Sequence, residues 1–254
     1  MYTNKQTGTF SNRCSTRSYA FSDMHELELP GEIVHAIDMG GQGGQVLGDG
    51  TRFKACAFSS SQLASSTEHA CSGDSSVKVS ATSQQSSWSD TSDLTNDNAF
   101  NDVMASYLGV TYPSSDLRIN IEDVTPGTEY QLSLYFVEYD LDRAHFIYVD
   151  GVIQGRMNPY QLAGHRYGKA SVFQLRLNAT SSSIRIRLWG QDESDQEMEP
   201  TRTSKDVVIQ ALTLRKIRNH FVSVFAIDDV PPSAKLYYDD ARRYEVFKHR
   251  NIHS

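Results

Sequence analysis

Tyr139, Asp140 and Asp142 fall at the end of an alternating apolar stretch and in the segment that follows it. A saccharide needs such a mixture. An aromatic ring covers the apolar C–H face of the sugar, and planar polar side chains pair with its hydroxyls in a pre-formed depression. Tyr160, His165, Arg166 and Tyr167 could add to this surface from the next long connection. The competing reading of the same residues is a tyrosine covering a sheet edge beside aspartates placed where turns favour them.

Other chemistries are weaker on the same residues. Glu138 and Asp140 share one strand face at roughly 7 Å, so a paired-carboxylate glycosidase has to be considered. Such enzymes hold their carboxylates across a cleft, usually on different elements, whereas these two point the same way. Glu138 is expected instead to fix a loop through backbone amides or to pair with Arg143. Asp38, Asp49, Asp140, Asp142 and the run Asp192 to Asp195 could offer oxygen ligands to calcium. No EF-hand spacing accompanies them, so a solvated surface is expected, and no cofactor is implied. The glycines from Gly40 to Gly44 follow a strand but lack the Lys-Ser/Thr of a phosphate loop, so backbone crowding at a tight turn is the expectation. With no HExxH and no GxSxG, the chain is read as not an enzyme.

The elements that must position these residues sit in a chain of 254 residues with 39% hydrophobic and 22% charged content, enough for a full core without metal or disulfide staples. No apolar run approaches the roughly 20 residues of a membrane helix, and the start of the chain has no signal-peptide core. A net charge of -7 argues against a nucleic-acid backbone or an anionic membrane surface as partner and leaves a neutral ligand or another protein. The three cysteines fit no zinc pattern. Cys56 and Cys71 could close a loop in an oxidising compartment or remain buried thiols.

Residues 1–30 are polar and aperiodic, an N-terminal arm that gains order only by lying on something. Glu32 to Asp38 reads as a strand entering the glycine turn, and the serine-rich stretch from Ser59 to Ser92 reads as a loop excursion or weak edge strands. From Asp116 the alternation sharpens. Strands are expected at Leu117 to Ile121, Tyr130 to Tyr139, Ala144 to Val149, Val172 to Leu177, Ile184 to Leu188 and Val207 to Ile217, with Leu132, Leu134 and Phe136 facing the core. Short strands broken by turns, without a long helical period, describe an all-β antiparallel β-sandwich of the jelly-roll kind over residues 31–217. Residues 218–254 form a C-terminal extension, expected as a strand at Phe221 to Ile227 and a short amphipathic helix after Pro231-Pro232.

Ile37-Asp38-Met39-Gly40-Gly41, the stretch Pro126-Gly-Thr-Glu-Tyr-Gln-Leu-Ser-Leu-Tyr-Phe-Val-Glu138, Arg143, the hairpin Phe146 to Gly151 and the closing strand Val208 to Leu214 resemble malectin-like carbohydrate-binding domains. The resemblance implies a galactose-binding-like jelly roll that binds sugars without transforming them. Tyr139 and Asp140 occupy the position of the family's aromatic contact, and Asp206 precedes the last strand. Asp38 stands where the family usually has Asn. Together these give a ligand-binding set of Tyr139, Asp140, Asp142, Asp206 and Asp38. A second function of another class is a structural subunit, a capsid, fibre or surface layer, whose aromatic-bearing arms dock on neighbours. The partners implied are a saccharide and a homo-oligomer or larger assembly. An extracellular or assembly-surface location is favoured.

Overall fold

Side chains on successive strand residues point to opposite faces, so alternation decides which face of each strand is buried. In a computed structural model of the chain, residues 13–18, 31–59, 62, 67–80, 84–87, 97–110, 116–139, 141–162, 167–190 and 206–217 are described. The strands are β1 (Arg13–Ser18), β2 (Gly31–Met39), β3 (Lys54–Cys56), β4 (His69–Cys71), β5 (Asp74–Ser80), β6 (Gln84–Ser87), β7 (Ser106–Val110), β8 (Asp116–Ile121), β9 (Glu129–Glu138), β10 (His145–Val149), β11 (Val152–Met157), β12 (Lys169–Asn178), β13 (Ile184–Trp189), β14 (Val207–Ile209) and β15 (Ala211–Ile217). Helices α1 (Asn98–Ala105) and α2 (Pro159–Leu162) interrupt them.

One sheet runs β1-β12-β9-β15-β2-β3, a second runs β11-β10-β13-β8-β5-β4, and a small third runs β14-β7-β6. The first two pack face to face. Leu132, Leu134 and Phe136 of β9 meet Leu117, Ile119 and Ile121 of β8 and Ile184, Ile186 and Leu188 of β13 in one continuous buried core. The fold is the expected β-sandwich, with β2 and β3 a parallel pair in an otherwise antiparallel arrangement.

The first sheet is buried on its other face as well. Tyr135 and Val137 of β9 and Val172 of β12 form a second core with Phe53 and with Phe100, Val103 and Met104 of α1. The ring of Phe100 meets Tyr135 edge-on at 5.4 Å. Asp97 caps the helix by accepting from the backbone N–H of Ala99 (2.9 Å) and of Phe100 (3.2 Å).

Three further features depart from the sequence reading. Val207 to Ile217 is two strands in two sheets, because Gln210 breaks the ladder between β14 and β15. A strand also follows the Asp150-Gly151 turn, whose two residues both have positive φ (50° and 78°), the geometry that joins right-twisted strands tightly. Within residues 1–30, β1 pairs with β12 from Arg13↔Arg176 to Ser18↔Ser171 and so extends the first sheet. Cys56 and Cys71 are joined by a disulfide across a sequence separation of 15. The C-terminal strand and helix expected in residues 218–254 lie outside the described residues.

Candidate functional site

Strand register assembles one end of the sandwich. Ala211 pairs with both Asp38 and Tyr135, and Lys169 pairs with Glu138. The last residues of β2 and β9 and the first residues of β12 and β15 therefore lie at the same end. At it lie the glycine turn after Met39, Tyr139 after β9, and Gly168 just before β12; Asp206 precedes β14 in the third sheet.

The charged residues of this end are tied to one another. Arg143 donates through Nη1 to Oε2 of Glu138, and both side chains are buried. This is one of the two arrangements expected for Glu138. Asp142 is buried and accepts from Nδ2 of Asn158 at 2.6 Å, while Oδ1 of Asn158 accepts from the backbone of Gln161 at 3.0 Å. Asp142 thus holds the start of α2. The backbone N–H of Gly168 donates to the carbonyl of Glu138 at 2.7 Å. A Cβ at Gly168, whose φ is +66°, would lie 3.1 Å from Cε1 of Tyr139. Tyr139 is half-buried, its ring over Gly168 and against the second core.

An aromatic pair, half-buried Tyr160 and exposed Tyr167, follows in the chain. Tyr160 of α2 and Tyr167 stack with ring centroids 4.5 Å apart and planes 26° from parallel, and Tyr167 is 45% exposed. Both were legible as supplementary contacts. Asp206 is partly exposed at the strand start. Asp140, His165 and Arg166 lie outside the described residues.

Asp38 anchors the glycine turn. It is 1% exposed, accepts from the backbone N–H of Gly43 at 3.1 Å and accepts from Oγ of Ser106. Burial pushes its carboxyl above the ordinary carboxylate value, and the bonds from Ser106 and Gly43 offset only part of that. A Cβ at Gly40 would fall 2.2 Å from the carbonyl oxygen of Tyr107, and one at Gly43 2.4 Å from the amide of Ala55. Both glycines also have positive φ, so crowding explains this turn, as expected.

Below it, Asp74 accepts from Nζ of Lys54 at 2.8 Å and lies 3.1 Å from Nδ1 of His35. Burial alone would raise its carboxyl, but bonds with Lys54, Ser76 and His35 hold it well below the ordinary range. No group of three or more His, Cys, Asp or Glu among the described residues is placed to hold a metal ion. No described helix is long and apolar enough to cross a membrane.

A second surface went unremarked as a site in the sequence, although the alternation of β13 turns Arg185 and Arg187 outward. Arg187 lies opposite Tyr148 of β10 and Arg118 of β8. Its guanidinium carbon sits 4.2 Å from the ring centroid of Trp189 and 5.6 Å from that of Tyr148. Nε and Nη2 of Arg187 reach the two oxygens of Asp116 at 2.9 and 3.2 Å, and Nη2 of Arg118 reaches the same carboxylate at 2.8 Å. Burial opposes ionisation of Asp116, and the bonds from the two arginines outweigh it, so its carboxyl is held below the usual range.

No family model and no curated protein matches the chain. Among solved structures, the crystal structure of the plant peptide RALF23 in complex with FER and LLG2 is similar with a TM-score of 0.51 at 11% identity, over 74% of this chain and 49% of that one. The ANXUR2 extracellular domain from Arabidopsis thaliana is similar with a TM-score of 0.52 at 14% identity, over the same shares. Bacteroides uniformis beta-glucuronidase gives a TM-score of 0.46 at 14% identity, over 72% of this chain and 18% of that one. The chain thus spans about half the length of the two plant structures. Those two are malectin-like, and the resemblance read from the sequence holds at the level of fold.

Proposed function

We propose that the chain is a non-catalytic carbohydrate-binding domain that takes a neutral saccharide at the end of the sandwich, against the stacked rings of Tyr160 and Tyr167. The observation that carries this reading is the stack of half-buried Tyr160 on exposed Tyr167, with Asp142 and Asn158 fixing the start of α2. Stacked rings cover a sugar's C–H face without further ordering on binding, which keeps the entropic cost low. Asp140 and Asp206 are the polar contacts that the sequence offers for it, while Asp38 and Glu138 act within the fold, as turn anchor and ion-pair partner. Glu138, neutralised by Arg143, is not placed as a general acid, and this supports the non-catalytic reading.

The disulfide supports an extracellular or otherwise oxidising location. A protein partner is compatible with this role, since one similar structure holds a peptide in a receptor complex. The assembly reading, a homo-oligomer or larger structure, rests on the arms, chiefly residues 218–254 outside the described set. A glycan array of neutral saccharides probed with the purified chain tests the function. Binding to a defined set of neutral glycans supports it, and a blank array contradicts it.

A further inference from the structure

The chain holds a single Asn-x-Thr triplet whose middle residue is not proline, Asn178-Ala179-Thr180, where β12 ends and the connection to β13 begins. Such a triplet is the acceptor for an N-linked glycan, which is bulky and hydrophilic and keeps its asparagine on the surface of the folded chain. We propose that Asn178 is an N-glycosylation site and carries its glycan at the end of the sandwich remote from Glu138 and Lys169.

The fold turns the triplet outward. Leu177 and Ala179 are buried in the core, while Asn178 and Thr180 on either side of Ala179 are exposed. Hydrogen bonds hold the backbone between them. The N–H of Ala179 donates to the carbonyl of Thr128 at 2.9 Å, and the N–H of Gly127 donates to the carbonyl of Ala179 at 2.8 Å. No hydrogen bond among the described residues engages the side chain of Asn178 or of Thr180. Triplets of this kind arise by chance, and chance places asparagine as readily inside a fold: Asn101 is buried, and Asn158 is buried and donates to Asp142. Asn178 has no such task. The bond between Cys56 and Cys71 is an independent observation, because disulfides persist in the oxidising compartments of the secretory route, where N-glycans are attached.

The transfer is a displacement at carbon. Nδ2 of Asn178 attacks the anomeric carbon of an oligosaccharide carried on a polyprenyl pyrophosphate. The C–N bond forms, the anomeric C–O bond breaks, the pyrophosphate leaves with the bonding pair, and the amide gives one proton to a base of the transferase. β12 has 10 residues, so Asn178 stands about 30 Å from Lys169 at a rise of about 3.4 Å per residue. Tyr167 lies two residues before Lys169, and a glycan at Asn178 therefore leaves the tyrosine pair open.

Secretion of the full chain from a eukaryotic host behind a cleavable leader tests this, with the intact mass read before and after treatment with peptide N-glycosidase. The wild type is expected to lose the mass of one glycan, and peptide mapping should place that glycan on Asn178. Asn178→Gln and Thr180→Ala should each be secreted without it, whereas Thr180→Ser keeps the hydroxyl and should keep the glycan. Both positions are exposed, so these variants should fold like the wild type. The same peptide map on the chain recovered from the cells that make it should show Asn178 modified. The proposal is overturned if the secreted wild type keeps its mass under the glycosidase, if Thr180→Ala still carries the glycan, or if Asn178 is unmodified in the chain from those cells.

Discussion

Gln210 and Val137 exchange two hydrogen bonds through the glutamine side chain: the N–H of Val137 donates to Oε1 at 2.9 Å, and Nε2 donates to the carbonyl of Val137 at 3.0 Å. The side-chain amide thus supplies to β9 the pairing that the backbone gives up where β14 leaves for the third sheet. Gln210 is fully buried. Gln210→Leu keeps the size but strands one donor and one acceptor of Val137, so a loss of about 2–4 kcal/mol in urea unfolding is expected. A change below about 0.5 kcal/mol would show that this bridge does not hold the strand break.

Arg143 and Glu138 should behave as a buried ion pair whose halves cannot be lost singly. Arg143→Met leaves an uncompensated carboxylate and should cost about 3–5 kcal/mol, whereas the double variant Glu138→Gln with Arg143→Met should recover much of it. A double-mutant cycle in chemical denaturation measures this. Additive losses would mean that the two groups do not depend on each other.

Asp38 and Asp74 should impose opposite pH dependences on stability. Asp74 has a lowered folded pKa, so the unfolded state takes up protons first as pH falls through about 4, and its stabilising contribution is lost there and below. Asp38 has a raised folded pKa. Its contribution is present below the unfolded value and lost as pH rises through the folded one. Asp38→Asn should therefore raise stability at neutral pH and leave it little changed in acid, while Asp74→Asn should flatten the acid limb. Denaturation midpoints across this range decide it. Destabilisation of Asp38→Asn at neutral pH would contradict the assignment.

The bond between Cys56 and Cys71 closes a short loop between the two six-stranded sheets, joining the end of β3 to the end of β4. A loop of this length is worth about 3 kcal/mol on loop-closure grounds. The variant with both cysteines replaced by alanine should lose about that much and should no longer respond to reductant. Equal melting with and without reductant in the wild type would show that the bridge does not contribute to stability.

Much of the frame was legible because one-sided burial writes a period of two into the sequence. Leu117, Ile119 and Ile121 alternate with polar residues, and β8 sits where that alternation put it. β9 was found too, but its second buried face was not, since Gln131, Ser133 and Tyr135 read as outward positions until α1 is seen over part of that face. The helix itself lay at the edge of a serine-rich stretch. Its signal was present in Asp97 as cap and in Phe100, Val103 and Met104 at helical spacing, yet eight residues are too few for periodicity to stand out. The break at Gln210 left no trace, because Val-Val-Ile-Gln-Ala-Leu reads as one strand.

At the site, the pairing of Glu138 with Arg143 was legible from chemistry and spacing. The stacking of Tyr160 on Tyr167 was not, since it depends on where α2 folds back. Asp142 and Asp38 are expected from the sequence as ligand contacts. Their burial, and the bonds they make to Asn158, Gly43 and Ser106, are properties of packing that local sequence does not carry.

Titration calorimetry with a neutral saccharide selected from the array, comparing wild type with Tyr167→Ala, tests the central claim most directly. Removing one exposed ring of the stacked pair should weaken binding by on the order of 1 kcal/mol or more while leaving the melting temperature close to wild type. Undiminished affinity in Tyr167→Ala would contradict the placement of the saccharide at this end of the sandwich.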